Sequence, residues 1–230
     1  MEQQNKILVL ILGCNKEPYI SMQKAQLDTW ISLKQKEDIE VFHYIGDSPN
    51  MYNDDKTIYL NTPDIIQNVS LKTLLAFKYV LDNNFNFTHI YRTNSSSYVN
   101  LELLNRYIKD KPNTNFLAGP SGFDPNFKVK FVSGSGFVIS KDLVQLLINN
   151  LQKINIRTLD DVSISEFLVS KNNIPIYDIV RMDAYNYEML NTINKTNINN
   201  TFHFRLKSGS GDRSFDINAM KYIYNLIKEK

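Results

Sequence analysis

The sequence predicts an α/β fold, with a mixed, mostly parallel central sheet flanked by helices, in one domain spanning residues 1–230. Three observations support this. Ile7 to Leu12 is an unbroken aliphatic run, as expected for a parallel strand covered on both faces. Strand-like runs then alternate with segments whose apolar residues recur at helical spacing. A chain of 230 residues with 43% hydrophobic content can also bury one sizeable core, which argues against two domains.

Gly13 to Asn15 follows the first strand as a loop at the ligand edge, because ligands of open α/β sheets gather at the carboxyl ends of strands. A helix is expected over 21–34, and Val41 to Ile45 reads as a second strand stopped by Gly46, Asp47, Ser48 and Pro49. Leu71, Leu74, Lys78 and Leu81 fall at helical spacing, Leu75 and Phe77 widen the apolar face, and Asn83 to Asn86 ends that helix. Ile90 and Tyr91 belong to a strand that runs into a polar turn, Thr93 to Ser97, and leaves through Tyr98 and Val99. The next helix carries Leu101, Leu104 and Ile108 and is broken by Lys111-Pro112. Phe127 to Phe131 and Phe137 to Ile139 read as strands flanking the turn Gly134-Ser135-Gly136. Ser140 is placed to cap a helix bearing Leu143, Leu146 and Leu147. The Asn-rich stretch 191–200 is expected to be a mobile loop, and Ile217, Met220, Tyr224 and Ile227 make the closing helix amphipathic.

A formal net charge of +2 without a basic cluster leaves no electrostatic footprint for nucleic acid, so any anionic partner is expected to be small. The single cysteine, Cys14, cannot form an internal disulfide. The aliphatic run of six residues is shorter than a signal-peptide core or a membrane span. The expectation is a cytoplasmic protein, or a domain excised from a longer chain, with no membrane span, and the lone cysteine favours the first. Richness in Asn, Lys and Ile suggests an AT-rich genome of the kind some large viruses carry.

Five segments, taken in order, resemble one family. They are QKAQLDTWISL with Thr29-Trp30, the helix around Leu71-Lys72-Thr73, RTNSSSYVN from Arg92, FVSGSGFVIS from Phe131 to Ser140, and TLDDVSIS around Asp160-Asp161-Val162. This order resembles the β-1,3-glycosyltransferases that include the Fringe proteins, glycosyltransferase family 31. The resemblance implies a GT-A type nucleotide-sugar-binding fold. It also implies inverting transfer of a sugar from a nucleotide-sugar, most simply a UDP-sugar, to a glycan or glycoprotein acceptor. Where the family has a run of metal-binding Asp residues, this chain has Asn94, Ser95 and Ser96. Neutral ligands bind Mn²⁺ or Mg²⁺ weakly, so no metal ligand and no cofactor are expected beyond weak Mn²⁺ or Mg²⁺ binding.

Inverting transfer needs a general base for the acceptor hydroxyl and a stabiliser for the departing nucleoside diphosphate. The resemblance places the base at Asp161, with Asp160 in reserve, although Thr158-Leu-Asp-Asp161 also fits a helix capping box. The segment around His203, Arg205, Lys207 and Arg213 offers cations and a Gly/Ser turn to donor phosphates, in place of a late metal-binding His of the family; its plain alternative is a solvated loop. Gly13, Asp47, Lys72 and Arg92 complete the expected donor site. By the same analogy Gly134, Ser135 and Gly136 line the pocket for the donor sugar and acceptor, or else form a simple hairpin turn. Lys72 also fits a solvated helix face, Asp47 a structural turn, His203 a packing role and Trp30 the core. A catalytically inactive relative that binds a glycan or nucleotide-sugar, and a structural scaffold, are the competing functions.

Overall fold

In the computed structural model, which describes residues 5–34 and 39–228, thirteen strands and eight helices follow one another along the chain. The first half contains β1 (Ile7–Leu12), α1 (Tyr19–Asp28), β2 (Ile39–Ile45), β3 (Tyr52–Asn53), β4 (Thr57–Tyr59), α2 (Val69–Asp82), β5 (His89–Asn94), β6 (Ser97–Val99) and α3 (Leu101–Ile108). Then come β7 (Leu117–Ala118), β8 (Ser121–Asp124), β9 (Val129–Val132), β10 (Gly136–Ser140), α4 (Lys141–Ile148), α5 (Asp160–Ser165) and β11 (Ile176–Tyr177). The chain closes with β12 (Met182–Ala184), α6 (Tyr187–Asn191), α7 (Lys195–Asn200), β13 (His203–Leu206) and α8 (Arg213–Lys228).

The central sheet has the order β11-β7-β10-β5-β1-β2-β4-β3. β1 pairs in parallel with both β2 and β5, β2 with β4 and β11 with β7, whereas β10 runs antiparallel to β5 and β7, and β3 to β4. The aliphatic run of β1 has a direct explanation, because alternate side chains point to opposite faces of a strand. Ile7, Val9 and Ile11 enter the core beside α3, α7 and α8, while Leu8 and Leu10 enter the core beside α2 and α4. Trp30 is buried in the first of these cores, as expected. A small sheet, β12-β13-β6, and the hairpin β8-β9 complete the framework. Among the described residues no helix is long and apolar enough to cross a membrane.

Several expected boundaries move. The helix expected over 21–34 ends at Asp28, where the Thr29 hydroxyl donates back to the Ala25 carbonyl at 2.6 Å, and only a 3₁₀ turn, Ile31–Leu33, follows. The strand expected from Phe127 starts at Val129, because the Asp124 carboxylate accepts the amides of Asn126 and Phe127 and Lys128 adopts φ 52°, closing a turn. Ser140 sits at the start of α4 without capping it. Its hydroxyl instead accepts the Phe116 amide at 3.0 Å and donates to Asp142.

The largest correction concerns residues 191–200, expected as a mobile loop. They contain α7, which starts with a capping box: Asn194 accepts the amides of Thr196 and Asn197, and the Asn197 side chain accepts the Asn194 amide. Ile198 is fully buried and anchors the turn in the core. Replacing Asn194 by Ala should therefore cost about 1 kcal/mol, seen as a fall of about 2–4 °C in the midpoint of thermal unfolding. An unchanged midpoint would mean that the box contributes nothing.

Candidate active site

β1 and β5 lie side by side with Leu12 opposite Asn94, so Gly13 and the turn Asn94-Ser95-Ser96 share one edge of the sheet. A cleft of about 430 Å³ opens there. Of the residues expected at the site, Gly13, Lys72, Arg92, Asn94, Ser95 and Ser96 line it, as do Gly134, Ser135, Asp160, Asp161, Arg205, Lys207 and Arg213. Asp47, Gly136 and His203 are not part of the lining.

The cleft floor is a buried ion pair. Arg92, 1% exposed, extends from β5 to Asp160 at the start of α5, with Nη2 to Oδ2 at 2.5 Å. The guanidinium also donates to the Tyr44 hydroxyl at 3.2 Å and to the Gly134 carbonyl, and the Thr73 hydroxyl donates to Asp160 at 2.7 Å. Burial pushes the Asp160 carboxyl up, and the charge of Arg92 opposes that shift. These contacts correct two expectations. Asp160 is spent on Arg92 and is not free to act as a reserve base, and Arg92 has each of its three nitrogens bonded inside the protein, so its charge is balanced by Asp160 and not left for a phosphate. Lys72 is likewise buried against Asp64 and donates to the Gly13 carbonyl at 2.7 Å, so it organises the wall instead of facing solvent.

Asp161 has a different environment. It does not take part in a capping box, because Leu159 occupies the N-cap position and no side chain caps α5. Its Oδ2 accepts the Gly134 amide at 2.9 Å and its Oδ1 accepts the Val162 amide at 2.9 Å. The carboxylate remains half-buried at the cleft wall, with further acceptor positions unused. Gly134 fits between the two charged residues: a Cβ there would lie 2.9 Å from Asp161 Oδ2 and 3.2 Å from Arg92 Nη1. Its turn is stitched to β5 and β6, since Thr93 and Ser97 donate to the Ser135 carbonyl at 2.6 and 3.0 Å.

The cationic segment that begins in β13 runs beside the turn of residues 94–96. Antiparallel pairing sets Arg205 against Ser97, and the Leu206 amide donates to the Ser96 carbonyl at 2.7 Å. Arg205, Lys207 and Arg213 are half-buried, and desolvation together with the charges of Arg205 and Arg213 pulls the Lys207 ammonium below its ordinary range. The turn facing them is neutral and tied down. Ser95 donates to the Leu12 carbonyl at 3.0 Å, Ser96 to Asp216 at 2.8 Å, and the Asn94 side chain to the Gly134 carbonyl at 3.2 Å. Among the described residues no group of three or more His, Cys, Asp or Glu side chains is placed to hold a metal ion.

The remaining expected residues serve structure. His203 is fully buried, with Nε2 3.3 Å from the Ser97 hydroxyl. Gly136 passes so close that a Cβ would overlap the Tyr91 hydroxyl and stand 2.7 Å from His203 Cε1. Asp47 is exposed, accepts the Asp64 amide at 2.9 Å and stands 3.6 Å from Lys16. Four supporting residues did not emerge from the sequence. Asp64 pairs with Lys72, and Asp216 accepts from Ser96. Gln26 donates to the Asn94 and Ser97 carbonyls and contacts His43, and Arg181 donates to the Ser133 and Ser135 hydroxyls. The one signal for Gln26 was its place in the segment resembling the Thr-Trp helix.

Removing Arg92 would leave Asp160 buried without a countercharge, so Arg92→Met should cost about 3–5 kcal/mol in urea unfolding. A loss below about 1 kcal/mol would fit a weak, exposed pair instead. A second prediction concerns acid. Burial lowers His43 and His203 from 6.5 to about 3, so the folded protein keeps both neutral while the unfolded chain protonates them below about 6.5. Stability should therefore be complete above that pH and fall as pH drops from about 6.5 toward 3, by about 1.4 kcal/mol per unit per histidine. His43→Gln should flatten that slope in denaturant titrations, and an equal slope would contradict the assignment.

No family model and no curated protein matches this sequence. Solved structures do. A glycosyltransferase involved in the glycosylation of the major capsid of PBCV-1 superposes with a TM-score of 0.55 at 11% identity, covering 94% of this chain and 98% of that one. The 4-diphosphocytidyl-2C-methyl-D-erythritol synthase from Anaerococcus prevotii superposes with a TM-score of 0.50 at 14% identity, covering 76% and 86%. At such identities the likeness is one of architecture: the chain has a GT-A-like α/β fold, with its cleft at the carboxyl edge of a mixed, mostly parallel sheet.

Proposed function

We propose that the protein is an inverting glycosyltransferase that moves a sugar from a nucleotide-sugar, most simply a UDP-sugar, to a hydroxyl of a glycan or glycoprotein without a metal ion. The observation that carries this reading is that one half-buried carboxylate, Asp161, shares a cleft with the cations Arg205, Lys207 and Arg213. The ordered motifs resembling family 31 support it, as does likeness in fold to a protein described as a glycosyltransferase.

In this reading Asp161 takes the proton from the acceptor hydroxyl as that oxygen bonds to the anomeric carbon. The bond from that carbon to the donor phosphate oxygen breaks on the opposite face, and the nucleoside diphosphate leaves with the electron pair. The Gly134 and Val162 amides fix the carboxylate in place. The cations meet the charge that develops on the diphosphate, where a unit pair at about 4 Å is worth about 4 kcal/mol at an effective dielectric near 20, before desolvation. In the GT-A pattern a divalent ion has that task, but the neutral, internally bonded Asn94, Ser95 and Ser96 do not suit one. No step of the proposed reaction uses a metal.

A binding protein of the same fold, without turnover, is the second reading, favoured by the missing acids at 94–96. Donor hydrolysis and transfer across a panel of UDP-sugars and glycans, in EDTA, separate the two. The enzyme reading expects turnover in EDTA and a fall of about 10²–10⁴ in kcat for Asp161→Asn, with donor affinity retained. Donor binding without turnover in the wild type would instead establish the binding protein.

A further inference from the structure

Asp216 is fully buried, yet its carboxylate lies where three parts of the candidate donor site meet. Its Oδ2 accepts the Ser96 hydroxyl at 2.8 Å, from the turn that would face the donor diphosphate. The same oxygen accepts Arg213 Nη1 at 3.2 Å, and Arg213 is itself only 20% exposed. Its Oδ1 accepts the Ser208 amide at 2.8 Å, at the head of the Gly/Ser segment, and the Ser208 hydroxyl in turn stands 2.9 Å from that of Ser210. A single carboxylate thus fixes the neutral turn, the cation and the backbone between them.

Resting on the donor-site reading above, we propose that Asp216 is the positioning residue of the diphosphate subsite. It holds the guanidinium of Arg213 beside the Asn94–Ser96 turn, so that a fixed internal cation is presented there to a nucleoside diphosphate. Asp216 does not itself touch the ligand. The geometry favours this role over simple capping of α8: Asp212 accepts the Ser214 amide at the start of that helix, whereas Asp216 engages the Ser208 amide outside it, together with a hydroxyl and a cation that both line the cleft. The guanidinium keeps further N–H donors beyond the one given to Asp216.

The idea opposes simple electrostatics in a measurable way. Asp216→Asn removes a negative charge from the neighbourhood of three cations, so charge alone predicts tighter diphosphate binding. Positioning predicts weaker binding, because the amide cannot accept from Ser96, Ser208 and Arg213 together. The experiment is calorimetric titration of the full chain with UDP and, separately, with uridine, both in EDTA. It compares wild type, Asp216→Asn, Arg213→Lys, Arg213→Ala and the double variant Asp216→Asn/Arg213→Ala. Asp216→Asn should weaken UDP about tenfold or more and leave uridine unchanged, and it should weaken it little further when Arg213 is already Ala. Arg213→Lys keeps the charge but loses the planar fork, so it should weaken UDP nearly as much as Arg213→Ala, and it tests the idea even if Asp216→Asn does not fold.

UDP binding to Asp216→Asn as tight as, or tighter than, to wild type would overturn the positioning role and leave the donor site standing. So would a full-strength Arg213→Lys, or equal losses for UDP and uridine. No UDP binding to the wild type would overturn the donor-site reading and this inference with it.

Discussion

The cleft depends first on the buried pair between Arg92 and Asp160. Two charges are held away from water, so each needs a complete set of partners. The set is drawn from five places: Tyr44 on β2, Thr73 on α2, Gly134 before β10, Arg92 on β5 and Asp160 on α5. Satisfying one guanidinium therefore fixes the relative positions of elements from much of the chain. Asp161 owes its place to this arrangement. It is the next residue after the anchored Asp160, and the glycine that donates to it also accepts from Arg92. The pair has no direct chemistry, but it sets the distance between the carboxylate and the rest of the cleft.

A second constraint brings the cations to the site. Nothing local connects the turn after β5 with a segment more than a hundred residues later. The short strand β6 pairs with β13, and the hydrogen bond from Leu206 to Ser96 continues that pairing past the strand end. Gln26 braces the turn from the other side by donating to the carbonyls of Asn94 and Ser97. A neutral turn can hold its shape without a bound ion because backbone pairing and buried amide contacts supply the rigidity.

Local pattern made the framework legible. The β1 run, the α2 stripe and the α8 stripe are each decided by which residues must face a core, and that periodicity survives in sequence. Much of the cleft lining consists of residues whose types and motifs already single them out in sequence, such as Asn94 to Ser96 after β5 and Gly134-Ser135 before β10. What sequence could not supply was partnership. Arg92, Asp160 and Lys72 are residue types suited to chemistry, and only the fold shows that the charge of each is paired with a buried partner. The same holds in reverse for Asp216 and Arg181, which sit in unremarkable sequence and become important through contacts with the site. The helix at 195–200 was hidden for a different reason. Asn favours turns and helix caps alike, and composition alone does not distinguish an Asn-rich loop from a helix that begins with Asn194 and Asn197.

The contact between Ser96 and Asp216 also limits what position 96 can become. An acid introduced at position 96 would set a second carboxylate against the fully buried Asp216, with the hydrogen bond that Ser96 donates removed. A carboxylate in this turn would thus require position 216 to change as well, and Arg213 to give up its partner. The neutral turn and the buried acid behind it therefore constrain each other: neither can change its charge unless the other changes with it.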